Sequence, residues 1–164
     1  MKISVVVIGK SGRLLKHMLE HYVKLAGHYW KIDVRELSAG ISGARGVSSK
    51  EIVKKESERI LSTLPQDAEV IAFERKGKEM NSLSFSRYLQ DAAVMSIPEI
   101  VFVIGGAYGL HQDVLTRANQ TISLSRFTFT HGFARLILLE QLYRAGTIMR
   151  NEPYHKGALC DKNH

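Results

Sequence analysis

The chain has 164 residues, 45% hydrophobic and 24% charged, the composition of an ordinary globular protein long enough to bury its own core as one domain. Its 23 Lys and Arg against 16 Asp and Glu leave a net charge of +7, which favours a polyanionic partner, nucleic acid first and an acidic membrane surface second. A single cysteine, Cys160, excludes an internal disulfide and fits a reducing cytoplasm.

Composition alone leaves open a basic protein with no polyanionic partner. His17 and His21 stand four apart on a helix pattern but lack a third ligand, so they read as surface residues and no metal is expected. The longest apolar runs, Val5–Ile8 and Leu136–Leu139, are far too short to span a bilayer, and no signal peptide is evident at the N-terminus.

Strand and helix signals alternate along the chain. ISVVVIG (3–9) is a β-branched run ending at glycine, a buried strand. Leu14, Leu15, Met18, Leu19, Tyr22 and Val23 recur at helical spacing up to Gly27. KIDVREL (31–37) alternates loosely as a half-exposed strand, and a Gly/Ser-rich loop follows. Ser48 with Glu51 forms a capping box for a helix whose apolar face is Ile52, Val53, Ile60, Leu61 and Leu64, stopped by Pro65. EVIAFE (69–74) is the third strand and RKGKEMNS the loop after it. A helix from about Ser82, with Leu83, Phe85, Leu89, Ala92 and Ala93 apolar, leads past Pro98 to strand four, IVFVIG (100–105). Residues 110–119 form a short helix, TISLS (121–125) a fifth strand, and 132–149 a long helix.

This order predicts an α/β fold, a parallel sheet with helices on both faces, as a single domain over 1–164. In the last helix, Leu136 to Leu139 cover every side of one turn. Such a turn is buried all round, either against a second subunit in a two-fold pair or under the protein's own chain.

Two nucleotide-loop patterns fail. GKS at 9–11 follows a strand, but Ser4 stands where a phosphate loop needs its first glycine. GGAYG (105–109) has the spacing GGxxG instead of GxGxxG, and no Asp or Glu lies between Asp113 and Glu140. What distinguishes GGAYG is its sequel: SLSRFTFTHGFAR (123–135), LLEQLYRAGTIMR (138–150) and EPYHK (152–156). With MKISVVVIGK, KESERIL and ERKGKEMNS upstream, this ordered set resembles, over nearly the whole chain, the ribosomal RNA large subunit methyltransferase H family. These are SPOUT-class enzymes that methylate N3 of a pseudouridine in bacterial 23S ribosomal RNA.

The resemblance implies a C-terminal trefoil knot, a homodimer working on the assembled ribosome in the cytoplasm, and S-adenosylmethionine as cofactor. It assigns cofactor contacts to Phe73 after strand three, Gly105 after strand four, and Leu124, Ser125, Arg126, Phe127, Thr128 and Phe129 after strand five. Glycines at 105, 106 and 109 would let the main chain approach the cofactor. Candidates for proton removal or oxyanion stabilisation at the target base are His131, Arg135, Tyr154 and His155. Arg144 and Lys156 are candidates for RNA contact. Arg144 also follows Glu140 by four residues, so a helix salt bridge is the alternative, while His131 has a helix N-terminal role and Tyr154 an interface role as alternatives. Two departures stand out. Relatives usually read T-x-PH where this chain has Thr128, Phe129, Thr130 and His131, followed by Gly132, which is expected to leave the cofactor loop more mobile. Residues 157–164 form an extra tail. Both leave room for an alternative: a non-catalytic or retargeted RNA-binding paralogue.

Overall fold

The computed structural model describes residues 1–40 and 46–154. Among these residues ten elements alternate: β1 (Lys2–Ile8), α1 (Arg13–Ala26), β2 (Lys31–Leu37), α2 (Ser49–Thr63), β3 (Glu69–Glu79), α3 (Ser82–Val94), β4 (Glu99–Ile104), α4 (Gln112–Arg117), β5 (Gln120–Ser123) and α5 (His131–Met149). The five strands form one parallel sheet in the order β2-β1-β4-β3-β5. The expected α/β architecture is therefore observed.

The period of two along each strand divides the core. Ile3, Val5 and Val7 of β1 and Ile100, Phe102 and Ile104 of β4 face α1, α3 and α5. Val6, Ile8, Val101 and Val103 face α2 and α4 on the other side. Both faces are thus dry, which explains why β1 and β4 read as unbroken apolar runs. Helix α5 lies over the sheet between α1 and α3. Its Leu138, Leu139 and Leu142 are buried by the chain itself, while Leu136 and Ile137 are half-buried.

Local signals were mostly accurate. The capping box is present in both directions, Ser48 accepting from the Glu51 amide and the Glu51 carboxylate accepting from the Ser48 amide. One expectation is corrected: β3 runs to Glu79, taking in residues 75–79 of the expected loop. A register shift pairs both Phe73 and Lys78 with Ile122 of β5. Gly77 permits it, since a Cβ there would lie 2.6 Å from the Ile122 backbone. The inner face of α2 also differs from expectation. Ile60 is buried, but so are Glu56 and Ser57, while Ile52, Val53 and Leu61 are only half-buried.

Candidate active site

The carboxyl ends of β4 and β5 and the middle of β3 open onto a cleft of about 820 Å³, within the range of small-molecule sites. Three chain segments frame it: Phe73–Arg75, Ile104–Leu110 and Ile122–His131. Of the residues assigned to the cofactor, Phe73, Gly105, Leu124, Ser125, Phe127, Thr128 and Phe129 all line the cleft; Arg126 does not. A smaller hollow of about 310 Å³, walled by Phe85, Ile137 and Leu138, lies behind it and shares Phe73, Ile122, Ser123 and Leu124.

Hydrogen bonds shape the loop after β5. The Ser123 hydroxyl donates to the Ser125 carbonyl (3.0 Å), and the Phe127 amide donates to the Ser125 hydroxyl (3.0 Å). Thr130 then caps α5 by accepting from the Phe133 amide. Phe127 is left largely exposed at the rim.

The glycines of GGAYG are also required by the protein's own packing. A Cβ on Gly105 would lie 2.7 Å from the Gly109 carbonyl oxygen, and one on Gly106 would lie 2.8 Å from a Glu56 carboxylate oxygen. Gly109 turns the chain with φ +82°, closing a turn in which its amide donates to the Gly106 carbonyl (3.1 Å). At 105 and 106 the backbone already approaches the protein's own atoms closely.

His131 lines the same cleft. Its Nε2 is 3.2 Å from the Lys10 carbonyl oxygen, and a carbonyl can only accept, so that nitrogen carries the ring proton and Nδ1 holds the lone pair in the neutral ring. The ring covers Gly9, where a Cβ would meet it at 2.8 Å. One helical turn on, Arg135 is 4% exposed and its Nη1 reaches Glu36 at 2.7 Å, while Ser11 donates to the same carboxylate through amide and hydroxyl, each at 3.2 Å. Burial works to raise the Glu36 carboxyl, but the hydrogen bonds from Arg135 and Ser11 outweigh it and hold the group below the usual carboxylate range. Arg135 is therefore a buried ion-pair partner beneath the cleft, tying β2 and the β1–α1 turn to α5.

Arg144 and Tyr154 form a second group, apart from the cleft lining. Arg144 pairs with Glu140 (2.5 Å), as the four-residue spacing allowed. Tyr154 donates to Glu140 (3.2 Å), and its ring lies under the Arg144 guanidinium and 4.6 Å from the Tyr143 ring. Burial first, then Tyr22 and Glu140, push the Tyr154 phenol well above its ordinary range, so it remains a protonated donor. His155, Lys156 and the tail 157–164 lie outside the described residues. Sequence reasoning missed Glu36 and Glu56 altogether and met Glu140 only as a partner of Arg144; none carries a local signal, since the groups they bind come together through the fold. Among the described residues, no helix is long and apolar enough to cross a membrane, and no group of three His, Cys, Asp or Glu could hold a metal ion.

A family model described as "Predicted SPOUT methyltransferase" matches residues 1–155. The chain belongs to the SPOUT methyltransferase family. Relatives within it include proteins named ribosomal RNA large subunit methyltransferase H from Gemmatimonas aurantiaca, 41% identical over 157 residues (95% of this chain, 100% of the relative), and from Exiguobacterium sp., 41% identical over 160 residues (95% and 100%). One from Clostridium perfringens, 40% identical, bears the same name with the number 1 and has the same coverage. Among solved structures, a putative methylase family protein from Neisseria gonorrhoeae aligns with TM-score 0.53 at 10% identity (87% of this chain, 81% of that one). A tRNA methyltransferase from Aquifex aeolicus aligns with TM-score 0.53 at 16% identity (88% and 70%). At such identities these two structures speak for the SPOUT fold alone.

Proposed function

We propose that this SPOUT chain is an S-adenosylmethionine-dependent methyltransferase that modifies N3 of a pseudouridine in bacterial large-subunit ribosomal RNA, acting in the cytoplasm as a homodimer. The observation that carries the reading is the convergence of three chain segments on one cleft lined by all but one of the residues assigned to the cofactor. The relatives' names supply the substrate class.

The residues present fit the cofactor. Phe73 and Leu124 offer an apolar wall for a flat base, and the main chain at Gly105 and from Ser125 to Phe129 offers polar groups for its edges. When bound, S-adenosylmethionine supplies an electrophilic methyl group on a sulfonium. The chain's contribution is to bind, orient and shield it, because in-line displacement gains most from positioning. The pseudouridine N3–H must lose its proton, and His131, which lines the cleft, and His155 are the histidine candidates to accept it. Tyr154, whose one phenolic proton is given to Glu140, suits ordering the C-terminal segment at the target base more than donating to it. In the family reading the segment bearing Tyr154 and His155 completes the site of the partner subunit, with Arg144, Lys156 and Arg126 available to phosphates.

Pairing is supported by apolar residues left exposed at the α1–α5 junction: Leu14, at 93%, with Met18 and Phe133. A C-terminal trefoil knot is the fold's expected means of shaping the cleft. It agrees with α5 returning from edge strand β5 to pack over β1 and β4. Mass spectrometry of large-subunit RNA from cells with and without the gene tests the proposal, with calorimetry of S-adenosylmethionine binding beside it. Loss of one methyl from a pseudouridine is expected; unchanged RNA with no cofactor binding would favour a non-catalytic paralogue.

A further inference from the structure

The carboxylate of Glu140 accepts more than a surface helix pair requires. Arg144 reaches its Oε1 through Nε (3.0 Å) and Nη2 (2.5 Å), and the Tyr154 hydroxyl reaches the same oxygen at 3.2 Å. Its other oxygen accepts from the Gln141 side-chain amide at 2.6 Å. The amide's orientation is set from α3, because the Ser82 hydroxyl donates to Gln141 Oε1 at 2.7 Å and so turns the NH₂ toward Glu140. The Glu140 side chain is only 18% exposed. An exposed pair four residues apart is worth about 0.3–0.5 kcal/mol and constrains little. A shielded carboxylate with four donors, one anchored on another helix, fixes geometry.

What it fixes are two residues with functional promise. The Arg144 guanidinium is held 5.0 Å over the Tyr154 ring, which also packs on Tyr143. Tyr154 lies past the end of α5 yet folds back beside the middle of that helix. Tyr22 of α1 also lies against the phenol, but among the described residues Glu140 is its one hydrogen-bond partner on α5.

We propose that Glu140 is a positioning residue for methyl transfer: one carboxylate sets where Arg144 and Tyr154 sit, and through Tyr154 the point from which the C-terminal segment runs on. This rests on the functional reading above. Glu140 touches neither the cofactor cleft nor its lining, so it acts through the two residues it holds.

The test compares full-length wild type, E140Q, Y154F and E140Q/Y154F. E140Q should lower kcat on ribosomes from a methyl-deficient strain by about 100-fold, the cost of a small misplacement. Its S-adenosylmethionine Kd should stay within about twofold, since no cleft contact changes. The double variant should be no slower than the slower single variant. Hydrogen exchange by mass spectrometry should rise in peptides after residue 149 while α5 keeps its protection. Wild-type kcat in E140Q, multiplicative losses in the double variant, or a rise in exchange spread through α5 with weakened cofactor binding would each overturn the proposal. A wild-type protein that methylates nothing sinks the functional reading instead. The exchange comparison then still decides the clamp, which unchanged C-terminal exchange in E140Q would refute.

Discussion

The Glu36–Arg135 pair makes an asymmetric prediction. Arg135 is 4% exposed, with its Nε lacking any hydrogen-bond partner among the described residues, whereas the Glu36 side chain is 32% exposed and keeps Ser11 as a second partner. Removing the Glu36 charge (E36Q) therefore strands a buried guanidinium. Breaking a buried pair in this way costs about 3–5 kcal/mol, and the partial exposure of Glu36 points to the lower end. R135M removes the buried charge and its orphaned donor while keeping an apolar stem. The remaining carboxylate can turn to water, so the cost should be no more than about 1 kcal/mol. In urea unfolding at fixed protein concentration, E36Q should be the weaker variant by about 2 kcal/mol, or about 4–8 °C in Tm for a domain of this size.

The pH dependence follows from the same pair. Because the folded state holds the Glu36 carboxyl below its usual range, the unfolded chain takes up the proton first as pH falls. The pair's stabilisation is therefore complete above the unfolded value of about 4.3 and is lost as pH drops through the lower folded value. The gap between wild type and E36Q should narrow over that acid window and stay flat near neutrality. R135M as damaging as E36Q, or a gap that does not change in acid, would refute the reasoning. Were Arg135 at the target base instead, R135M would cost far more turnover than stability.

Other expectations are more local. Gly146→Ala would drive a methyl group into the Tyr29 ring, which is held by Glu152 and by the Arg150 guanidinium 4.7 Å above it. Overpacking of about 1–3 kcal/mol should exceed the helix-propensity gain of about 1 kcal/mol, and adding Y29A should remove the penalty specific to the added methyl group in a double-mutant cycle of unfolding free energies. Ser48→Ala removes half of the capping box and should cost about 1 kcal/mol in the same assay, with no change in cofactor affinity. Ribosome binding should weaken steeply with salt, as a chain of net charge +7 that contacts phosphates requires; a flat dependence in filter binding would count against an RNA partner.

The sheet was legible because both faces are covered: contiguous apolar runs such as VVVI in β1 admit few other readings. The end of β3 was not, because RKGKE carries no apolar alternation. Its pairing depends on Gly77 letting Ile122 approach, a relation between strands that no window of sequence contains. Glu56 sits on the buried side of α2, where its carboxylate accepts from the Gly40 amide at 2.7 Å. A charged residue among lysines reads as solvated until the loop it binds is folded against it. The cleft itself was reached through the order of motifs, which composition and periodicity could not supply.

The two substitutions at the cofactor loop, Thr130 and Gly132, compensate each other in a way the residue types alone do not suggest. Thr130 stands where the family pattern leads us to expect proline, yet its φ of −64° is the value a proline ring imposes. The threonine adds what proline lacks at that position, a side-chain oxygen that caps the Phe133 amide at the start of α5. Gly132 is not a loop residue at all. It lies buried in the first turn of α5, where a Cβ would come within 2.9 Å of Leu15 on α1, so its effect is to let the two helices close. The capped helix start and the tight α1 contact restrain the 128–131 segment from the helix side, in place of a rigid ring within the loop. A cofactor loop held in this way needs no proline to keep its path into α5.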